Sequence, residues 1–430
     1  MPIARQQSGH HEFGHGELGP IIAAFVLLLI REAERRKLSR LAFVARDGDL
    51  LREATQRLLH SLPPRPAPEL VYIHLSRRAT APAALDAMDV AAVDAAAAVR
   101  AGPLTLAKVL EFHGLCAGTM DNWAGKHGLT LDTRISSPSM LRGLFADEQF
   151  RTEIVARIAQ RKELLSRYIA QQGMGERSPT ALVDIGWRGS IQTNLSRMLP
   201  DIAGLYFGLW TEDGPPHALP SAAIGLICDQ RRDRSIREGA AWYAAHLLEA
   251  ICRAPEGTTL GYNEEGGRIV PVLETDTSRS AEIETAEATS KIRAGILDRI
   301  EQLAKDSSWS LQSDGELRRA AQDALFQLAF FPGTAAIAIG KTLVHTEGHA
   351  SGWSVPLIAS VPDRPFASPR QWLAGLASPW RAGYVCATGG KGLAWLFAGT
   401  EALLVSLSPK IRHLVSSLAR RLAGLPSARR

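Results

Sequence analysis

Cysteine is sparse in this 430-residue chain, and the four present, Cys116, Cys228, Cys252 and Cys386, are far apart. No paired spacing of the kind used for zinc or dithiol redox chemistry occurs, so reduced, buried thiols in a cytoplasmic protein are the expectation. Long apolar runs are lacking too. The longest, Pro20 to Ile30, is about half of the ~20 residues that a bilayer-spanning helix needs, and Arg31, Glu32, Glu34, Arg35, Arg36 and Lys37 follow it at once. It reads as a buried helix. Nor does it read as a secretory signal, because His10, His11, Glu12 and His15 stand where such a signal carries positive charge. Neither a glycine period nor sustained heptads appear, which excludes collagen-like and coiled-coil architectures. Charge imbalance is slight, with 49 basic against 44 acidic residues, and predicts no nucleic-acid partner. Acidic residues stop at Glu401, while Lys410, Arg412, Arg420, Arg421, Arg429 and Arg430 continue. A basic helical tail over 387–430 suits peripheral contact with an anionic membrane, or is simply a solvated helix end.

What the chain does have is a packed-protein composition, 46% hydrophobic and 22% charged, and one repeated local pattern. Short continuous apolar runs lead into a polar or glycine-containing turn and then a helical stretch. Leu41–Ala45 leads into Arg46-Asp47-Gly48-Asp49, Val71–Leu75 into Ser76-Arg77-Arg78, and Ala181–Val183 into Asp184-Ile185-Gly186-Trp187-Arg188-Gly189-Ser190. Runs without alternation fit strands covered on both faces, hence an α/β fold with a Rossmann-like parallel sheet. Leu205–Trp210 and Ile224–Cys228 are expected to continue it. The expected organisation is an α/β core over 12–262 with a helical insertion at about 84–172. A helical C-terminal subdomain over 282–385 follows, with 264–280 as a surface excursion.

A parallel sheet binds ligands beyond the carboxyl ends of its strands, so the residues just after the runs are the site candidates. In the third turn, Gly186 and Gly189 allow close backbone approach to a ligand. Ser190 is placed to cap the next helix, whose free N–H groups suit a phosphate, with Gln192 one turn on. Asp184 would face sugar hydroxyls or a metal-bound water; the alternative is an ordinary strand-to-helix turn. Asp47 and Asp49 match the Asp-x-Asp opening of haloacid-dehalogenase-type phosphatases, nucleophile then acid/base. No later acidic pair supplies the magnesium site of that chemistry, which leaves Asp47 also readable as a ligand-orienting or metal-linked carboxylate paired with Arg46. Of Arg77 and Arg78, one is expected to enter the crevice and the other to face out. His10, His11 and His15 are expected to be mobile, and His74, His113 and His246 to be core members.

The segments GPIIAAFVLLLIREAERRKLSRLAFVARDGDLL, VYIHLSRRA, ALVDIGWRGSIQTNL and HLLEAICRAPEGTTLGY, in that order, resemble the C-terminal half of bacterial dual-domain ribofuranosyltransferases. These surface-polysaccharide proteins are usually labelled haloacid-dehalogenase-superfamily hydrolases, and that half is their glycan phosphoribosyltransferase domain. The resemblance covers about residues 12 to 385. It implies transfer of a 5-phosphoribosyl group from phosphoribosyl diphosphate, with Mg2+, to a glycan acceptor that is lipid-linked, at the inner face of the membrane. No phosphatase half is expected before Glu12, so a separate phosphatase would finish the ribose. By this resemblance Arg46, Arg77 and Arg78 hold the diphosphate, Asp184 the ribose, and Gly186, Gly189, Ser190 and Gln192 the 5-phosphate. Gly48, Ser76 and Arg188 line the site, Asp47 assists metal or acceptor, and Glu256 or Glu249 deprotonates the acceptor. The readings left beside it are a phosphatase using Asp47 and a non-catalytic partner in polysaccharide assembly.

Overall fold

The structure, a computed structural model, describes residues 9–81, 85, 104–115, 117–175, 179–210, 222–232, 235–275, 280–346, 354–361, 372 and 374–406. Five parallel strands form its centre: β1 (Arg40–Val44), β2 (Glu69–Ile73), β3 (Thr180–Asp184), β4 (Ala203–Leu209) and β5 (Ala223–Asp229), in the order β2-β1-β3-β4-β5. The fold is α/β and Rossmann-like, with additional helical regions. Alternate residues of each strand serve two apolar layers. Leu41, Phe43, Ala181, Val183, Leu205 and Phe207 face one layer, and Ala42, Val44 and Leu182 face the other. Both faces are covered, which explains why the runs do not alternate.

The first layer is built on the helix Gly19–Arg35, opened by Pro20 near its first turn, where the missing N–H costs nothing. Residues from Ile21 to Ile30 are almost wholly shielded, and Phe25 meets Phe207 with centroids 5.5 Å apart. Burial of each such side chain stabilises by roughly 1.5–3 kcal/mol. The continuous helix Gly9–Arg35 is long and apolar enough to cross a membrane, yet 78% of its apolar window is packed inside the protein. The N-terminal histidines lie on this helix, where His11 bonds Asp298 at 2.8 Å and stacks near His15.

Residues 282–385 do not form a layer of their own. Ile292 and Ile296 from the helix Ser280–Ala304, Leu325 and Phe330 from the helix Asp314–Phe330, and Trp380 and Tyr384 all share the cluster that holds Phe25 and Phe43. The expected tail also begins inside the fold. The helix Arg381–Ser406 breaks at Gly390, buries Ala398, and receives the Tyr243 hydroxyl on Glu401 at 2.7 Å; residues 407–430 lie outside the described part.

The insertion has its own core, in which Leu106, Val109, Leu110 and Leu144 pack on Phe150, Ile154 and Ile158. These last three belong to the helix Glu148–Gln171, whose later turns place Leu165, Tyr168 and Ile169 against the sheet. One long helix therefore carries the insertion on the sheet. The alanine-rich helix expected from Ala84 lies outside the described residues. The excursion expected after Glu264 is instead a hairpin of β6 (Thr259–Glu265) and β7 (Arg268–Leu273), antiparallel. Its two-residue turn is Gly266-Gly267, both with positive φ, 55° and 78°, the backbone that tight hairpins demand. Two further short strands, β8 (Val344–Thr346) and β9 (Ser354–Pro356), pair antiparallel beside the helix Ala245–Cys252.

A candidate active site at the sheet switch point

Chain direction across the sheet reverses between β1 and β3: the connection from β1 leads to β2 on one side, while β3, β4 and β5 run away on the other. This is where open α/β sheets present a crevice. Asp47, three residues past the end of β1, and Asp184, at the end of β3, flank it. Asp47 stands at the N-cap of the helix Gly48–Ser61, but its carboxylate accepts no capping bond and remains available to the crevice. Asp184, the last residue of β3, spends one oxygen on the backbone N–H of Ile185 at 2.8 Å. Both carboxylates are half-buried.

Burial, then the nearby charge of Glu249, pushes the Asp47 carboxyl up to about 6, against the opposing pull of Arg253 and Arg46. Burial and Asp47 push Asp184 well above the usual carboxylate range, with Arg77 pulling it down. Asp47 thus acts on Asp184, as does Arg77, exposed at the start of the short helix Arg77–Thr80. Three strand ends that are separate in sequence share one electrostatic site.

The turn after β3 is shaped by glycine and tryptophan. Gly186 has φ 136°, and a Cβ there would lie 2.2 Å from the carbonyl oxygen of Gly208, so no other residue fits. Trp187 lies over Gly208 and donates its indole N–H to Glu249 Oε1 at 3.0 Å. Glu249 Oε2 faces His246 Nδ1 at 3.2 Å and His345 Nδ1, on β8, at 3.7 Å. Burial pushes this carboxyl up, but the two imidazoles and the indole outweigh it and hold Glu249 down at about 2.

Arginines beside the aspartates are organised by Glu282. Arg46 meets it with two bonds, at 3.0 and 3.2 Å, and Arg253 meets it at 2.8 Å while also reaching Thr346. Arg293 pairs with Asp49, and Tyr72 donates its hydroxyl to Glu256.

Several expected roles change on this geometry. Arg46 is engaged by Glu282, which makes it part of the wall and not a free diphosphate ligand. Asp49 is engaged by Arg293, so it is not poised as the acid partner of Asp47. Ser190 does not cap: Gly189, with φ 62°, holds the N-cap position, and no side chain caps that short helix, Ser190–Leu195. Gln192 is fully buried, its amide spent on the Ile202 carbonyl at 2.8 Å and the Tyr206 hydroxyl at 3.0 Å, out of reach of a phosphate. Ser76 is buried as well, donating to the Thr259 carbonyl and capping the helix Arg77–Thr80. Gly48 is buried where that turn becomes helix, and Arg188 is exposed.

Arg77 and Arg78 part company as adjacent residues should. Arg77 is exposed and acts on Asp184. The other is buried, pairs with Glu111 at 2.8 Å and lines a separate cavity of about 310 Å³ with Arg161, Tyr262 and Asn263. Glu249 is too firmly ionised to serve as a base. Glu256 accepts the Tyr72 hydroxyl.

Sequence reading passed over Arg253, Glu282 and His345, and placed His246 in the core. His246 and Glu249 share a helix face at a spacing of three, a readable signal; Glu282 and His345 come from distant segments and carried none. Among known proteins, no family matches this chain and no curated protein does.

Proposed function

We propose that this protein is a glycosyltransferase of the phosphoribosyl type, moving a 5-phosphoribosyl group from phosphoribosyl diphosphate to a glycan hydroxyl. The observation that carries the reading is the pair of desolvated aspartates at the β1/β3 switch point, where burial and the charge of Asp47 raise the Asp184 carboxyl and the Arg77 guanidinium pulls it down. Two neighbouring carboxylates that have lost water are a hard-oxygen donor set that suits Mg2+. When bound, Mg2+ would neutralise charge on a leaving diphosphate.

The chain's own residues supply the rest. Arg77 offers a planar two-point contact to phosphate. Asp184 accepts from ribose hydroxyls and stabilises positive charge developing at the anomeric carbon. Asp47, with its carboxyl at about 6, is ionised at neutral pH yet basic enough to take the proton of an acceptor hydroxyl. Gly186 and Gly189 keep the turn free of side chains at the ligand. Arg46 and Arg253, fixed by Glu282, hold the wall and temper Asp47. The substrate is a cytoplasmic metabolite, and a lipid-linked acceptor would bring the protein to the inner membrane face. The product keeps its 5-phosphate, which a separate phosphatase would remove.

Phosphorus NMR of the purified chain with phosphoribosyl diphosphate, Mg2+ and a glycan acceptor tests this. Diphosphate release that requires the acceptor is the expected result, lost in Asp184→Asn. Inorganic phosphate release with trapping at Asp47 would instead make it a phosphatase. Absence of both reactions, and of heat on titration with phosphoribosyl diphosphate, would leave a non-catalytic partner.

A further inference from the structure

Beside the aspartates, and independently of the transfer reading, three side chains converge in a way that the proposed reaction does not use. His246 and Glu249 lie one turn apart on the helix Ala245–Cys252, and His345 reaches them from β8. Their donor atoms all lie within 4.8 Å of one another. Ligands held ~2.0–2.1 Å from a tetrahedral zinc stand about 3.3 Å apart. The two separations from Glu249 Oε2, 3.2 Å to His246 Nδ1 and 3.7 Å to His345 Nδ1, bracket that value.

Three further features fit a cation at the centre. The imidazole rings are only 4.0 Å apart between centroids, so two imidazolium charges would repel strongly, and one carboxylate oxygen could answer only one of them. A divalent ion bound by two neutral rings removes that conflict. Trp187 fixes the other oxygen of Glu249 at 3.0 Å, the outer-shell hydrogen bond that orients a metal-binding carboxylate. The site is also graded in depth: His345 is almost fully buried, while the His246 side chain keeps 33% of its surface, an entry for the ion.

We infer that His246, Glu249 and His345 form a binding site for a borderline-soft divalent transition metal of the zinc class, distinct from any magnesium carried by a diphosphate. Two imidazoles with one carboxylate select such an ion over Mg2+, which prefers oxygen throughout. Three protein ligands leave a fourth position open to water or a substrate oxygen.

The test is metal binding by the whole purified chain, stripped with chelator and titrated with Zn2+ and then Co2+, with no sugar phosphate present. One equivalent per chain by elemental analysis is expected, together with the visible absorption of tetrahedral Co2+. Glu249→Gln and His345→Ala should abolish that equivalent. His246→Gln, at the more open edge of the site, should do the same with an unchanged circular dichroism spectrum. Trp187→Phe should weaken binding by ~10-fold or more while keeping the stoichiometry. His11→Ala, at the distant N-terminal histidines, should keep the equivalent. Failure to bind Zn2+, binding that survives His246→Gln, or binding lost in His11→Ala would each overturn the assignment. None of these readouts depends on glycosyl transfer.

Discussion

The turn after β1 and the helix Ala245–Cys252 deliver carboxylates to the same crevice, and the two behave oppositely. Both lose water, which alone would raise each of them. Asp47 then meets other carboxylates and is pushed up to about 6, whereas Glu249 meets two imidazoles and an indole N–H and is held near 2. Desolvation sets the stakes, and the partners set the sign. One region therefore keeps a proton within reach of neutral pH, and the other keeps a permanent negative charge.

The sharpest way to break this comparison is to remove the carboxyl on which Asp47 acts across the switch point. Asp184→Asn should cut transfer by on the order of 10²–10⁴-fold. The acid limb of any residual pH–rate profile should stay near 6, because burial and Glu249 are what raise Asp47; a limb moved well downward would put that rise on Asp184 instead.

Next comes stability. With chelator present, Glu249→Gln should cost about 2 kcal/mol at pH 7 in denaturant unfolding, a figure discounted for the quarter of the side chain left exposed. Because its carboxyl is lowered on folding, the wild-type advantage is present above about pH 4.5 and fades as pH falls toward 2. A cost that persists unchanged at pH 3 would refute the partner argument.

Asp47→Asn should go the other way. A carboxyl raised on folding contributes stability that is present below its ordinary value near 4 and lost as pH rises through about 6. The amide, which has no such loss, should therefore be more stable than wild type by roughly 1–2 kcal/mol at pH 7–8, with the gap closing by pH 4, while transfer is lost. Smallest of all is Ser190→Ala. Because no side chain caps that helix, the change should stay within about 0.5 kcal/mol by thermal unfolding.

How much could be read beforehand follows from range. Strands β1, β3, β4 and β5 were visible as unbroken apolar runs, because a strand covered on both faces leaves that mark in a few consecutive residues. Asp47 and Asp184 were visible as site candidates, since a parallel sheet opens at its carboxyl ends. The Gly266-Gly267 hairpin was readable and was missed, because β6 is polar and Pro271 interrupts the apolar run of β7. The wall built by Glu282 was not readable, for nothing near Glu282 announces that it will claim Arg46 and Arg253.

The chain's local order alone determined a both-faces-covered parallel sheet with acidic and basic turns at one rim, because backbone periodicity is a short-range property. Tertiary packing alone decided which of those charges stayed available. It set Arg293 against Asp49, closed Gln192 inside the core, turned Arg78 away from Arg77, and brought His345 to Glu249. Electrostatic neighbours act through space, and only the folded chain fixes those distances.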